Sequence, residues 1–134
     1  MIDGNKSSGT SAIIVSISSD IGLALAERWQ ARGVKVCGTY RTMSARLKDL
    51  DGVRTVRCDL ADPESVRKAG AELVQVCPEW DYLVLCPGLQ DPVGSFAACG
   101  FDDWGKSVQV NFLGQMEIVH RLLPLRNTKR KRCP

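Results

Sequence analysis

Short β-branched and apolar runs alternate with stretches of helical period along most of this chain, and no other feature constrains its fold as tightly. Ile13, Ile14 and Val15 make the first run; residues 34–40 (VKVCGTY), 53–58 and 82–86 (YLVLC) make the next three. Between them, apolar side chains recur three and four residues apart. Ile21, Leu25 and Trp29 do so before a stop at Gly33, and Val66, Ala69, Leu73 and Cys77 do so after Asp62-Pro63. That dipeptide is a helix start, with a capping carboxylate followed by a proline in the first turn. Residues 44–50 fit a short helix. Strand–helix alternation predicts a parallel α/β sheet with right-handed crossovers and helices on both faces. The YLVLC run lacks polar alternation, as expected of a strand covered on both sides.

The first strand runs into a turn of small polar residues (Ser16, Ser18, Ser19, Asp20), and Gly22 stands at the mouth of the helix that follows. Strand, tight turn and helix N-terminus together make an anion site, because unpaired helix N–H groups and the helix dipole both favour phosphate. A Gly- and Pro-rich loop occupies residues 87–100. Asp102 is then expected to cap a long helix whose buried stripe is Trp104, Val108, Phe112, Met116, Val119 and Leu123, with Pro124 ending it. Residues 125–134 (LRNTKRKRCP) have no periodicity. They divide the chain into a nucleotide-binding domain over 1–124 and a basic disordered tail over 125–134.

The bulk composition excludes several classes. With 44% hydrophobic and 25% charged residues the 134-residue chain is an ordinary globular domain. No apolar run approaches the ~20 residues of a membrane helix, and the polar N-terminus lacks a secretory signal, so a cytoplasmic protein without a membrane partner is expected. Lys129, Arg130, Lys131 and Arg132 account for the net charge of +3, because the other 14 basic residues face 15 acidic ones. A body without a basic face is not expected to bind nucleic acid. None of the six cysteines (Cys37, Cys58, Cys77, Cys86, Cys99, Cys133) forms a CxxC pair, and the single histidine, His120, has no cysteine at ligand spacing. No metal site is expected, and reduced cytoplasmic thiols are. His120 fits an interaction with a helix C-terminus better than a catalytic role.

Taken in order, these segments resemble the short-chain dehydrogenase/reductase family over residues 11–124. The SSDIG segment ending at Gly22 resembles the close of the family's TGxxxGxG cofactor turn. Tyr40-Arg41 closes the second strand and Asp59-Leu60 follows the third. Cys86-Pro87-Gly88 occupies the place of the family's NNAG, and WGKSVQVN, ending at Asn111, is similar to the helix carrying the active-site asparagine. The resemblance implies a three-layer Rossmann-like αβα fold with strand order 3-2-1-4. It implies a dinucleotide held by Ser16, Ser18, Ser19, Asp20, Ile21, Gly22, Tyr40, Arg41, Asp59, Leu60, Cys86, Pro87 and Gly88. Asn111 is the one catalytic position it carries over.

Where an NAD-selective site places a carboxylate after the second strand, this chain has Tyr40-Arg41, so Arg41 is expected to pair with a 2′-phosphate and NADP(H) is favoured over NAD(H). The rival reading of Arg41 is a solvated loop residue. Asp59 would contact the adenine edge by analogy, or cap the turn after it. Ser16 and Asp20 stand where the family has its first two glycines, and Asp20 is expected to turn away and cap the helix. The family's Tyr-x-x-x-Lys is absent, since Ser44 and Cys86 lie four residues after Tyr40 and Tyr82, and no serine follows Ser107. The chain therefore reads as the cofactor-binding part of an oxidoreductase, not catalytic as it stands. The alternative is a non-catalytic interaction protein, a homo-oligomer or a partner of a full-length relative, pairing through the helix over 104–123.

Overall fold

The computed structural model describes residues 9–129. Four parallel strands, β1 (Ser11–Val15), β2 (Lys35–Tyr40), β3 (Arg54–Arg57) and β4 (Tyr82–Leu85), form one sheet in the order β3-β2-β1-β4. Helices α1 (Asp20–Ala31) and α2 (Ala45–Lys48) belong to one face of it, and α3 (Pro63–Val76) and α5 (Gly114–Leu122) to the other. α4 (Phe101–Val108) leads into α5 through a π-turn over Gln109–Leu113, and a 3₁₀ turn (Leu123–Leu125) follows.

The alternation of strand side chains divides the core between two faces. Ile13 and Val15 of β1 pack with Val56, Val66, Leu73, Ile118 and Leu122, whereas Ile14 points to Ile17, Leu23, Ala26, Val36 and Leu47. β1 is central, and Ala12 through Val15 are fully buried. The α3 face fits the pattern of its sequence: Val66, Ala69, Leu73 and Cys77 are all buried. Asp62 Oδ1 accepts from the Glu64 N–H at 3.0 Å, with Pro63 in the first turn.

Several expectations need correction. On α1 the buried face is Gly22, Leu23 and Ala26, and Ile21 is 74% exposed; the helix begins at Asp20, so its first turn projects past the sheet. Its cap is Ser19, whose hydroxyl accepts from the Gly22 N–H at 3.0 Å, and not Asp20. β4 is not covered on both sides, because it is the sheet edge and Tyr82 and Leu85 are exposed. The expected stripe of the long helix also fails, since Val108, Phe112, Met116 and Leu123 are exposed.

The buried positions of that helix are instead Gly114, Gln115, Ile118 and Leu122. A π-turn holds an extra residue and rotates everything beyond it relative to a continuous α-helix. Here α5 packs on α3, while α4 buries no residue. Gly100, not Asp102, is the N-cap of α4.

The body continues past Pro124. The Asn127 N–H donates to the Trp80 carbonyl at 2.7 Å, Asn127 Nδ2 donates to Asp81 Oδ1 at 3.0 Å, and the Trp80 indole donates to the Leu122 carbonyl at 2.7 Å. Residues 130–134 of the expected tail lie outside the described residues.

Candidate functional site: a cleft at the carboxyl ends of the strands

In an open parallel sheet the loops leaving the strand carboxyl ends diverge where the strand order reverses, and leave a crevice there. The order β3-β2-β1-β4 places that point between β1 and β4. A cleft of about 470 Å³ opens at this end of the sheet. Ser16, Ser18 and Ser19 line it from the first turn, Thr39, Tyr40, Arg41 and Thr42 from the end of β2, and Cys58, Asp59, Leu60 and Ala61 from beyond β3. Pro87, Gly88 and Leu89 close it after β4, and Lys106 and Val110 reach it from α4 and the π-turn.

The first turn is built by a few backbone contacts. Ser16 takes φ 65°, in the left-handed region, which costs an L-residue roughly 1–2 kcal/mol and a glycine little. The glycine that the family carries here thus has a conformational reason, beyond room for a ligand. The conformation is held from β2: the Ser16 N–H donates to Thr39 Oγ1 at 3.0 Å, and the Ile17 N–H donates to the Thr39 carbonyl at 2.8 Å. Thr39 is itself buried. Nothing in the sequence singled it out, because a threonine inside a strand is unremarkable until the turn beside it is known.

Gly22 is required by close approach. A Cβ on it would lie 2.5 Å from the Ser16 carbonyl oxygen and 2.9 Å from Ser19 Oγ. The helix mouth therefore sits directly on the turn, with its first N–H groups beside the cleft. Asp20 and Ile21 stand on the outer side of this mouth, both exposed, and do not line the cleft.

Across the cleft, Asp59 Oδ1 accepts from the Ala61 N–H at 3.0 Å, and the Asp59 N–H donates to Ser65 Oγ at 2.8 Å. The capping alternative for Asp59 is thus realised while the residue still lines the cleft. Gly88 has nothing within 4 Å of a built Cβ, so the wall after β4 is open to an occupant. Cys86 lies behind that wall: burial pushes its thiol up, and a hydrogen bond with Ser19 opposes the shift. The Cys58 thiol is pushed up to about 11, first by burial and then by the Asp59 carboxylate beside it. Both shifts weaken these thiols as nucleophiles.

Asn111 does not line the cleft; it holds the loop that does. Its amide donates to the Leu89 carbonyl and accepts from the Leu89 N–H, both at 2.8 Å, and donates to Ser107 Oγ at 3.2 Å. A helix-unfavourable residue inside the π-turn is explained by this bidentate grip. Gln109 Nε2 donates to the Leu60 carbonyl at 3.1 Å from the same turn. The π-turn thereby ties together the loops after β3 and β4. Sequence reasoning missed Lys106 and Val110 because their approach depends on that helix's direction.

Two basic side chains, Arg41 and Lys106, and the α1 N-terminus thus bound a crevice with open walls at Gly88, a donor set suited to an elongated anion. Among the described residues no group of His, Cys, Asp and Glu could hold a metal ion, and no helix is long and apolar enough to cross a membrane.

Known proteins carry the same architecture. A protein from Rhizobium radiobacter named serine 3-dehydrogenase is 33% identical over 122 residues, which is 87% of this chain and 48% of that protein. A short-chain dehydrogenase/reductase from Burkholderia multivorans, solved with bound NADP, superposes with a TM-score of 0.73 at 27% identity over 88% of this chain and 54% of its own. One from Serratia marcescens superposes at 0.76 with 23% identity, over 89% of this chain and 51% of its own. The chain spans about half the length of the curated relatives it matches. The family profile described as enoyl-(acyl carrier protein) reductase matches residues 15–132, and with the sheet order and the turn at Ser16–Gly22 it makes this chain a member of the short-chain dehydrogenase/reductase family, corresponding to its N-terminal portion.

Proposed function

We propose that the cleft binds NADP(H) and that this chain is the cofactor-binding half of an oxidoreductase acting on carbonyl or hydroxyl groups. The observation that carries the reading is Arg41, which follows β2 on the cleft wall where a carboxylate would select the unphosphorylated ribose. In this reading the α1 N-terminus and the Ser16–Ser19 turn hold the pyrophosphate, and Gly22 keeps the helix close enough to do so. Arg41 pairs with the 2′-phosphate as a guanidinium suits a phosphate, by paired N–H donors. Asp59 and Leu60 flank the adenine, and the loop of Pro87 and Gly88 gives the ribose and nicotinamide a wall.

The bound nicotinamide would supply hydride transfer. The chain's own residues would supply binding and orientation only: neither Tyr40 nor Tyr82 is followed by a lysine four positions on, so no such pair is present to move the substrate proton. Asn111 positions the loop at Leu89 and is not required to touch substrate. In this reading the residues of this chain hold and orient the cofactor.

Thermal unfolding titrated with NADPH and, separately, NADH tests this. At 100 times Kd, binding stabilises the native state by about 2.7 kcal/mol. The expected result is a rise in Tm with NADPH that is lost in Arg41→Ala, and a smaller response to NADH that the substitution leaves alone. A cooperative melt indifferent to both nucleotides refutes the reading.

The exposed Val108, Phe112, Met116 and Leu123 support a second reading, in which the face over residues 104–123 pairs with another copy or a full-length relative. Light scattering separates the two. A monomer that binds NADPH supports the first alone, and a nucleotide-indifferent dimer supports the second.

A further inference from the structure

We propose that Cys37 and Cys77 form a peroxide-oxidisable thiol pair that closes to an intramolecular disulfide, at the end of the sheet opposite the cofactor cleft. Cys37 lies near the start of β2, and Cys77 is the C-cap of α3, where the helical constraint on the backbone ends. Both thiols line a second cleft of about 460 Å³, together with Lys35, Arg54 and Glu79. The two side chains belong to one packed cluster and interact with each other there.

The pair is polarised. The interaction with Cys37, with the Arg54 charge behind it, holds the Cys77 thiol below its ordinary range against the opposing effect of burial, while the same interaction and burial push Cys37 up. Arg54 Nη1 donates to the Val76 carbonyl at 3.3 Å, which keeps the guanidinium next to Cys77. When protonated, Cys77 donates to the Glu79 carbonyl at 3.5 Å. Cys77 is thus the nucleophile and Cys37 the resolving thiol, an asymmetry shared by oxidant-sensitive pairs.

The oxidant is hydrogen peroxide or an alkyl hydroperoxide. The Cys77 thiolate attacks one peroxide oxygen and the O–O bond breaks. The leaving hydroxide or alkoxide takes a proton as water or alcohol, and Cys77 becomes the sulfenic acid. The Cys37 sulfur then attacks the Cys77 sulfur, the S–O bond breaks, and hydroxide leaves with the Cys37 proton as water. Two thiols lose two electrons to one peroxide. The product staples β2 to the end of α3 without touching the nucleotide cleft. The other described thiols are placed differently: Cys86 hydrogen-bonds a serine, Cys99 the Val93 carbonyl, and Cys58, though in the same cluster, lines the cleft at the opposite end of the sheet.

The whole reduced chain is treated with hydrogen peroxide under native conditions, quenched, alkylated in denaturant and digested with trypsin and a glutamate-specific protease. The expected product joins VCGTYR (residues 36–41) to LVQVCPE (residues 73–79), about 2 Da lighter than the sum of the two peptides and released by reductant. Oxidation in guanidinium should scatter the pairing among the cysteines. In Cys37→Ser, a sulfenic-acid probe should label Cys77, whereas Cys77→Ser should leave Cys37 unlabelled. The proposal is overturned if native peroxide leaves both thiols alkylatable at doses that oxidise methionine, or if Cys77 pairs elsewhere. The wild-type peptide map decides this even where a variant fails to fold.

Discussion

Replacing Gly22 with alanine tests the geometry of the helix mouth, and the sign of its effect is diagnostic. In an unobstructed helix the change is favourable by about 1 kcal/mol. At Gly22 the new Cβ would sit 2.5 Å from the Ser16 carbonyl oxygen, against an ordinary contact of 3.4 Å or more. The turn must therefore retreat by roughly 0.9 Å, which a packed interior resists at a cost of roughly 1–3 kcal/mol. Retreat also pulls the Ser16 N–H off Thr39 Oγ1, a further loss of about 1 kcal/mol. The sum is a net destabilisation of about 1–3 kcal/mol, or a Tm lower by about 3–10 °C for a domain of this size.

Gly105→Ala is the control. It lies in α4 with nothing within 4 Å of its Cβ, so alanine there should raise stability by up to about 1 kcal/mol. Denaturant melts of the two variants, with NADPH titrated into each, make the comparison. Gly22→Ala should lose stability and nucleotide response together, and Gly105→Ala should keep both. A neutral or stabilising Gly22→Ala with unchanged NADPH affinity would refute the close-approach argument.

Ser16→Gly relieves a positive φ and should stabilise the chain by about 1 kcal/mol in the same melts, with NADPH bound at least as tightly. Trp80→Phe removes a buried 2.7 Å hydrogen bond to the Leu122 carbonyl and should cost about 1–3 kcal/mol, because the carbonyl is left without its donor. Asn111→Ala frees the Leu89 backbone; amide exchange at Leu89 should accelerate and NADPH should bind more weakly. Cys58, pushed up from 9.0 to about 11, stays neutral in the native state while the unfolded chain ionises. Its contribution to stability is complete below pH 9 and is lost as the pH rises to about 11, so the wild type minus Cys58→Ala difference in unfolding free energy should decline over that window.

The periodicities of the sequence determined which elements form and in what order, because a parallel sheet of short buried strands needs helical crossovers, and β-branched runs and capped amphipathic stretches have few other solutions. The family resemblance, rather than the periodicity, pointed to most of the cleft: Ser16, Ser18, Ser19, Tyr40, Arg41, Asp59, Leu60, Pro87 and Gly88 lie at or just beyond strand ends, which a parallel sheet gathers at one side. Tertiary structure decided what depends on a neighbour. Thr39 matters because β2 lies beside the β1 turn, and Asn111 because the π-turn meets Leu89. Which flank of α4 and α5 is buried could not be read from a helix with apolar residues on more than one side, since the π-turn and the packing of α5 on α3 and the sheet set the rotation. Cys37 and Cys77 are far apart in the chain, and only the packing of α3 on the sheet brings them into one core cluster. A linear sequence encodes local period and capping directly, whereas contacts between elements arise from the angles at which those elements pack.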